Sequence, residues 1–175
     1  MVSDLLGRLN GRSVLVIGDL MLDQFVIGTV DRISPEAPVP IVRFDHDTWR
    51  LGGAANVAHN IAALGGTVQT IGVIGNDIDG TRLLEDLSRR SIGTAGIVCD
   101  STRCTTRKLR VVTTRNQQVA RIDYENDAEI AADVEATVVR KIADLAVDAH
   151  AIVISDYLKG TISSKVASAA IDAGR

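Results

Sequence analysis

Cysteine and proline are scarce in this chain of 175 residues, which holds 2 of the first and 3 of the second. Cys99 and Cys104 stand in a C-x4-C pair with no His or further Cys nearby. That spacing supports neither a zinc site nor a disulfide framework, and two reduced thiols in a cytosolic protein are expected. No run approaches the roughly 18 apolar residues of a membrane span. The segment from Met1 to Asn10 also lacks the basic stretch and apolar core of a secretory leader, so a soluble, cytoplasmic protein without a membrane partner is expected. Charge of one sign is short as well: the net charge is -3 and Lys and Arg are scattered. Such a surface offers no footprint for nucleic acid and points to a small-molecule ligand.

Several catalytic signatures are absent. No G-x-x-x-x-G-K-[ST] occurs, which removes a P-loop. Where a dinucleotide fold would carry G-x-G-x-x-G after its first strand, Gly18-Asp19-Leu20-Met21 stands instead. His46, His59 and His150 are far apart, with neither H-E-x-x-H nor G-x-S-x-G, so zinc hydrolysis and serine acylation have no support and no metal ligand set is assigned.

What is present is a hydrophobic fraction of 46%, ample for the core of one domain. The stretch from Leu51 to Gly66 organises the rest. Its alanines, with Val57, Ile61 and Leu64 at helical spacing, predict a helix over 54–64 ended by Gly65. Gly52 and Gly53 directly before it let the first helical turn approach a ligand closely, and Asn56 can donate and accept toward hydroxyls. The same pattern also fits a plain turn feeding a small-residue helix that packs on a sheet.

Residues 13–19 form an apolar run ending in Gly18-Asp19, as expected for a strand buried on both faces whose carboxyl end meets a site. Asp19 and Asp23 are thus candidate polar groups, with a turn cap as the alternative for Asp19. From Phe25 to Arg50 short alternating pieces surround all three prolines, Pro35, Pro38 and Pro40, and predict a β excursion or an ordinary hairpin. Strand 67–75 and a helix of about 79–90 follow, the helix burying Leu83, Leu84 and Leu87 and turning its acids and arginines outward. A second β excursion over 102–124 carries Arg103, Arg107, Lys108, Arg110, Arg115 and Arg121, which either face a phosphate or guard a solvated edge. A helix through Val134, Val138, Ile142 and Leu145 then leads to a buried strand over 150–156, and a last helix spans 163–173. This alternation predicts an α/β fold with a mainly parallel sheet, Asp156 and Lys159 lying at the same sheet edge as Asp19.

Five segments carry a resemblance: Gly18 to Asp23, Arg32 to Pro40, Gly52 to Ala58, Thr106 to Val111 with Arg115 to Gln118, and Ser155 to Gly160. Together they resemble the ribokinase-like (PfkB) carbohydrate kinases, and the 32–40 and 115–118 runs resemble the heptose 7-phosphate kinase branch, in which the kinase domain is joined to an adenylyltransferase. The resemblance implies a ribokinase-like fold with a protruding β lid at about 22–50 and 102–124. It also implies transfer of the γ-phosphoryl group of ATP, with Mg2+, to the anomeric hydroxyl of D-glycero-D-manno-heptose 7-phosphate, on the route to lipopolysaccharide core sugars. Carried over by position, Asp19 and Asp23 would bind sugar hydroxyls, and Gly52, Gly53 and Asn56 would hold the sugar. Lys108, Arg110 and Arg115 would meet the 7-phosphate, Asp156 and Lys159 would lie near the phosphoryl path, and the lid would pair with that of a second subunit.

The family's Gly-Ala-Gly-Asp segment, with its anion hole and catalytic aspartate, is not found in the 175 residues and would lie beyond them, as would most of the adenine pocket. No catalytic base is therefore assigned, residues 1–175 are expected to form an incomplete kinase domain, and the chain alone is expected to be inactive. The alternative is a non-catalytic module that binds a sugar phosphate or dimerises through the lid.

Overall fold

The computed structural model describes Gly7 and residues 9–175. A short opening helix capped by Ser3, carrying Leu5, Leu6 and Leu9 and ended by Gly11, is expected from the sequence; Ser3, Leu5 and Leu6 fall outside the described residues.

Two four-stranded sheets and the helices between them make up the molecule. The first is wholly parallel, in the order β5 (Gly93–Asp100), β4 (Thr67–Gly75), β1 (Ser13–Gly18), β8 (Ala151–Ser155). Helices α1 (Gly53–Ala63) and α2 (Ile78–Arg89) pack with Val14, Val16 and Val68, whereas α3 (Ala132–Ala146) and α4 (Ser164–Ala173) pack with Leu15, Ile17 and Ile71. Alternate residues of β1 thus enter two different cores, which is why its run is apolar throughout. Chain order and parallel pairing agree with the α/β expectation. Among the described residues no helix is long and apolar enough to cross a membrane.

The second sheet has the order β3 (Pro40–Gly52), β2 (Leu20–Ile33), β6 (Thr106–Thr113), β7 (Gln118–Tyr124). Both β excursions therefore join one sheet, β2 pairing antiparallel to β3 and parallel to β6. Its strands are longer than the short pieces read from the sequence, at 14 residues for β2 and 13 for β3. Register shifts at Ile27/Gly28 and Val30/Arg32 interrupt the alternation that would have shown them as continuous.

Three further expectations are corrected. Helix α1 buries Ala54, Ala55 and Ala58 and packs Val57 and Ile61 on the same core, while Leu64, grouped with them by spacing, is exposed; small side chains let the helix backbone lie close to both sheets. In α2, Asp86 turns inward instead of outward, and Arg89 and Arg90 neutralise it at 3.2 and 3.5 Å. Strand β8 is half-exposed because it lies at the sheet edge, although Val153 packs on one core and Ile152 on the other.

Asp77 ties the first sheet to the lid strands. It caps α2 through Gly80 N–H at 2.7 Å and accepts Thr105 N–H at 2.8 Å, just before β6 begins. Burial alone would push its carboxyl up, but bonds from the Thr105 and Gly80 N–H groups hold it below its ordinary 3.8. A depressed carboxyl stabilises the fold fully above the unfolded value and ceases to as the pH falls through the folded one. In Asp77→Asn the amide can serve one N–H acceptor role but not both. It should cost about 1–2 kcal/mol at pH 7, and the gap to wild type in urea midpoints should close once the pH is well below 3.8.

Candidate functional site

The site starts where β1 hands over to β2. A single residue, Asp19, separates them, and the chain passes there from one sheet to the other. Its N–H donates to Ser155 O at 3.2 Å and its carbonyl accepts Ala54 N–H at 2.9 Å, so β8 and the start of α1 are fixed on either side. Gly53 lies against this junction with φ of 53°, and a Cβ there would sit 2.4 Å from Asp19 O. Gly52 is equally confined, since its Cβ would meet an Asp23 carboxylate oxygen at 2.8 Å. The glycine pair is thus required both by a left-handed backbone and by close approach, and it brings α1 up against Asp23.

Above this start is a cavity of about 390 Å³ between α1 and the lid sheet. Asp23 and Arg50 line it from β2 and β3, Asn56, His59 and Asn60 from the outer face of α1, and Arg90 from the end of α2. A carboxylate, two carboxamides, an imidazole and two guanidiniums around one space make a lining suited to a ligand with many hydroxyls and an anionic group. A second cavity of about 380 Å³ adjoins it over the lid sheet, where Thr48, Arg110, Asn116 and Gln118 contribute. Phe25 and Arg50 border both.

The structure brings some of the expected residues together and separates others. Asp23 and Asn56 share the first cavity with Gly52 and Gly53 behind them, and Arg110 enters the second. Asp19 is engaged elsewhere, because its buried carboxylate accepts the N–H groups of Tyr157 at 2.8 Å and of Lys159 and Thr161 at 3.2 Å. It lines neither cavity and anchors the loop after β8, the turn-type alternative extended across 140 residues of sequence. Lys108 is taken up by Asp123 and Glu125, both at 3.2 Å, and Arg115 sits exposed on the β6–β7 turn outside the linings.

Asp156 and Lys159 also lie away from both cavities. Asp156 accepts Leu158 N–H at 2.8 Å, an internal turn bond. Lys159 binds Asp127 at 2.9 Å and Glu125 at 3.0 Å, and these carboxylates hold its ammonium above the ordinary lysine range. Among the described residues no three His, Cys, Asp or Glu converge as a cation site. Asp156 and Lys159 are thus engaged within the protein, and neither joins the lining of the two cavities.

Sequence reasoning passed over Arg50, Phe25, His59 and Arg90. Only Arg50 carried a signal, standing two residues before the glycine pair; the others meet through tertiary packing of three elements.

The pfkB family carbohydrate kinase model matches residues 12–175. The bifunctional protein HldE of Pelobacter propionicus is 42% identical over 174 residues, 99% of this chain and 36% of its own length. HldE of Geobacter sulfurreducens is 46% identical over 167 residues, covering 93% and 33%. The chain thus spans about a third of the length of the curated relatives it matches. Among solved structures, the tetrameric inhibited form of phosphofructokinase-2 from Escherichia coli has a TM-score of 0.70 at 24% identity, over 94% of this chain and 52% of that one. The microbiome-derived acarbose kinase Mak1 has a TM-score of 0.63 at 19% identity, over 83% and 46%. These likenesses show the ribokinase-like fold.

The anchoring by Asp19 is open to direct test. Asp19→Ala would leave three backbone N–H groups near 157–161 without their acceptor and should cost about 2–4 kcal/mol in urea unfolding. Limited proteolysis should find new cleavage in that loop, and unchanged resistance there would contradict the anchoring.

Proposed function

Since the chain belongs to the pfkB family of carbohydrate kinases, we propose that it carries the sugar-binding half of an ATP-dependent heptose 7-phosphate kinase. The reaction would place a phosphoryl group on the anomeric hydroxyl of D-glycero-D-manno-heptose 7-phosphate for lipopolysaccharide core synthesis. The observation that carries the reading is the juxtaposition of Asp23 and Asn56 on one cavity with Arg50 and Arg110 beside it. Hydroxyl-binding groups and guanidiniums side by side suit a phosphorylated polyol better than a neutral sugar. The HldE relatives at 42–46% identity and the heptose-type segments at 32–40 and 115–118 support the choice of substrate.

In this reading Asp23 accepts a sugar hydroxyl, Asn56 donates and accepts beside it, and Gly52 and Gly53 keep Cβ atoms out of the way. Arg110 meets the phosphate. Asp19 acts from behind, as a positioning residue. ATP and Mg2+ would be held by parts of a kinase that these 175 residues do not supply, so the chain alone binds sugar phosphate without turnover.

The lid supports a pairing surface. Beyond Gly28, β2 no longer pairs with β6, and the β2–β3 ribbon exposes Ile33, Val39 and Phe44 to solvent. Apolar side chains at the end of an otherwise charged ribbon fit burial against a second copy. A non-catalytic sugar-phosphate-binding or dimerisation module remains the second reading, favoured by the same exposed ribbon.

Three measurements check these proposals. Heptose 7-phosphate at millimolar concentration should raise the melting temperature of the 175-residue protein while Mg-ATP leaves it unmoved, with no heptose bisphosphate formed; robust turnover would refute the division of labour. Light scattering should report a dimer that Phe44→Glu shifts toward monomer by about tenfold or more in dissociation constant.

A further inference from the structure

Among the lid cations that the sequence offers, Arg107 lines neither cavity and is mostly covered. Its register partner on β2 is Leu22, while Asp23 is opposite Lys108, so Arg107 leaves the lid sheet on the face away from Lys108 and Arg110 and toward α2. There its Nε lies 3.2 Å from Asp79 Oδ2 in the first turn of α2, and its Nη1 donates to Gln24 Oε1 at 3.1 Å. Tyr124, directly across on β7, has its ring centre 4.0 Å from the guanidinium carbon.

These contacts converge on Trp49, the one tryptophan of the chain and part of the wall of the first cavity. Its indole N–H donates to Asp47 Oδ2 at 2.9 Å, and Gln24 Nε2 donates to the same oxygen at 2.9 Å. Arg107 thus reaches the indole through Gln24 and Asp47. It also lies 5.8 Å from the ring centre itself, while Arg82 of α2 covers the ring at 4.0 Å. Trp49 belongs to β3, an edge strand whose backbone pairs only with β2. Side chains must therefore hold the indole in place, and Arg107 joins β2, β3 and β7 to α2 at one point.

Burial, the largest influence on Asp79, holds its carboxyl above the ordinary 3.8 in spite of Arg107. A covered carboxylate of this kind is tolerated because a guanidinium faces it, and deleting Arg107 alone would leave it unmatched. We propose that Arg107 is a positioning residue: it clamps the lid sheet to α2 and thereby keeps Trp49 in the wall of the first cavity. The clamp does not depend on what the cavity binds. Its effect on affinity rests on the sugar-phosphate reading above.

Because Trp49 is the sole tryptophan, its emission reports on the clamp without any ligand. In the 175-residue protein, Arg107→Met should raise the acrylamide quenching constant about twofold and move the emission to longer wavelength. Arg107→Lys, which keeps the charge but not the fork, should fall between. Arg121→Gln, on the face that Arg110 shares, should change neither. Combining Asp79→Asn with Arg107→Met removes the unmatched carboxylate, so melting temperature should recover relative to Arg107→Met while Trp49 stays open to quencher. Unchanged quenching in Arg107→Met, or wild-type quenching in the stable double variant, would overturn the proposal. Should Arg107→Met fail to fold, the double variant and Arg107→Lys decide it. In calorimetry, whichever of heptose 7-phosphate and fructose 6-phosphate wild type binds should bind the double variant about 5- to 30-fold more weakly. Equal affinity would overturn the positioning role. A wild type that binds neither sinks the sugar-phosphate reading, and Trp49 emission alone then decides the clamp.

Discussion

One buried carboxylate holds the two halves of this molecule in register. Asp19 is the whole connection between the central strand of the parallel sheet and the first strand of the lid sheet. Its main chain is bonded to β8 and to the start of α1, and its side chain gathers the loop that follows β8. A carboxylate accepting several N–H groups at a buried junction keeps that geometry only while every donor is satisfied. The glycine pair follows from it, because the helix must start within a Cβ radius of the Asp19 carbonyl. The floor of the first cavity follows from the glycine pair.

A chain of opposite charges links the same junction to the lid. Lys159, in the loop anchored by Asp19, binds Glu125, which also binds Lys108 of β6, and Lys108 in turn binds Asp123 of β7. Arg103 adds donors to the carbonyls of Asn126 and Lys159, at 2.6 and 2.9 Å. The return from the lid into α3 is therefore strapped to the end of the parallel sheet. Several lid cations that the sequence offers as ligand groups are instead consumed in joining the two sheets, which leaves Arg50 to stand out.

Much of this architecture was legible in the chain, for identifiable reasons. Strands of the parallel sheet show as apolar runs since both faces of β1 are covered, and Gly18, Gly65 and Gly174 mark breaks that the structure respects. The glycine-fronted helix and its neighbour Asp23 were legible because local sequence dictates them. Less could be read where partners are chosen in three dimensions. Nothing local says that Asp19 turns toward 157–161, that Lys108 meets Asp123 and Glu125, or that Asp86 faces inward. On α1 spacing groups Leu64 with Val57 and Ile61, but only the latter two pack on the core that Ala54, Ala55 and Ala58 enter. The lid strands were fragmented by bulges that a period-two reading cannot bridge.

The parallel pairing of β2 with β6 carries a kinetic consequence. Met21 lies opposite Thr106, and two strands of the parallel sheet, β4 and β5, are threaded between those two strands in the sequence. The entropy of closing so long a loop must be met before the pairing returns any stabilisation. During synthesis the hairpin of β2 and β3 thus emerges and waits as a two-stranded ribbon, unsheltered along one edge, until β4, α2 and β5 have condensed and deliver its third strand. The second cavity, which Arg110, Asn116 and Gln118 help to line, is therefore completed only after every residue lining the first has been made.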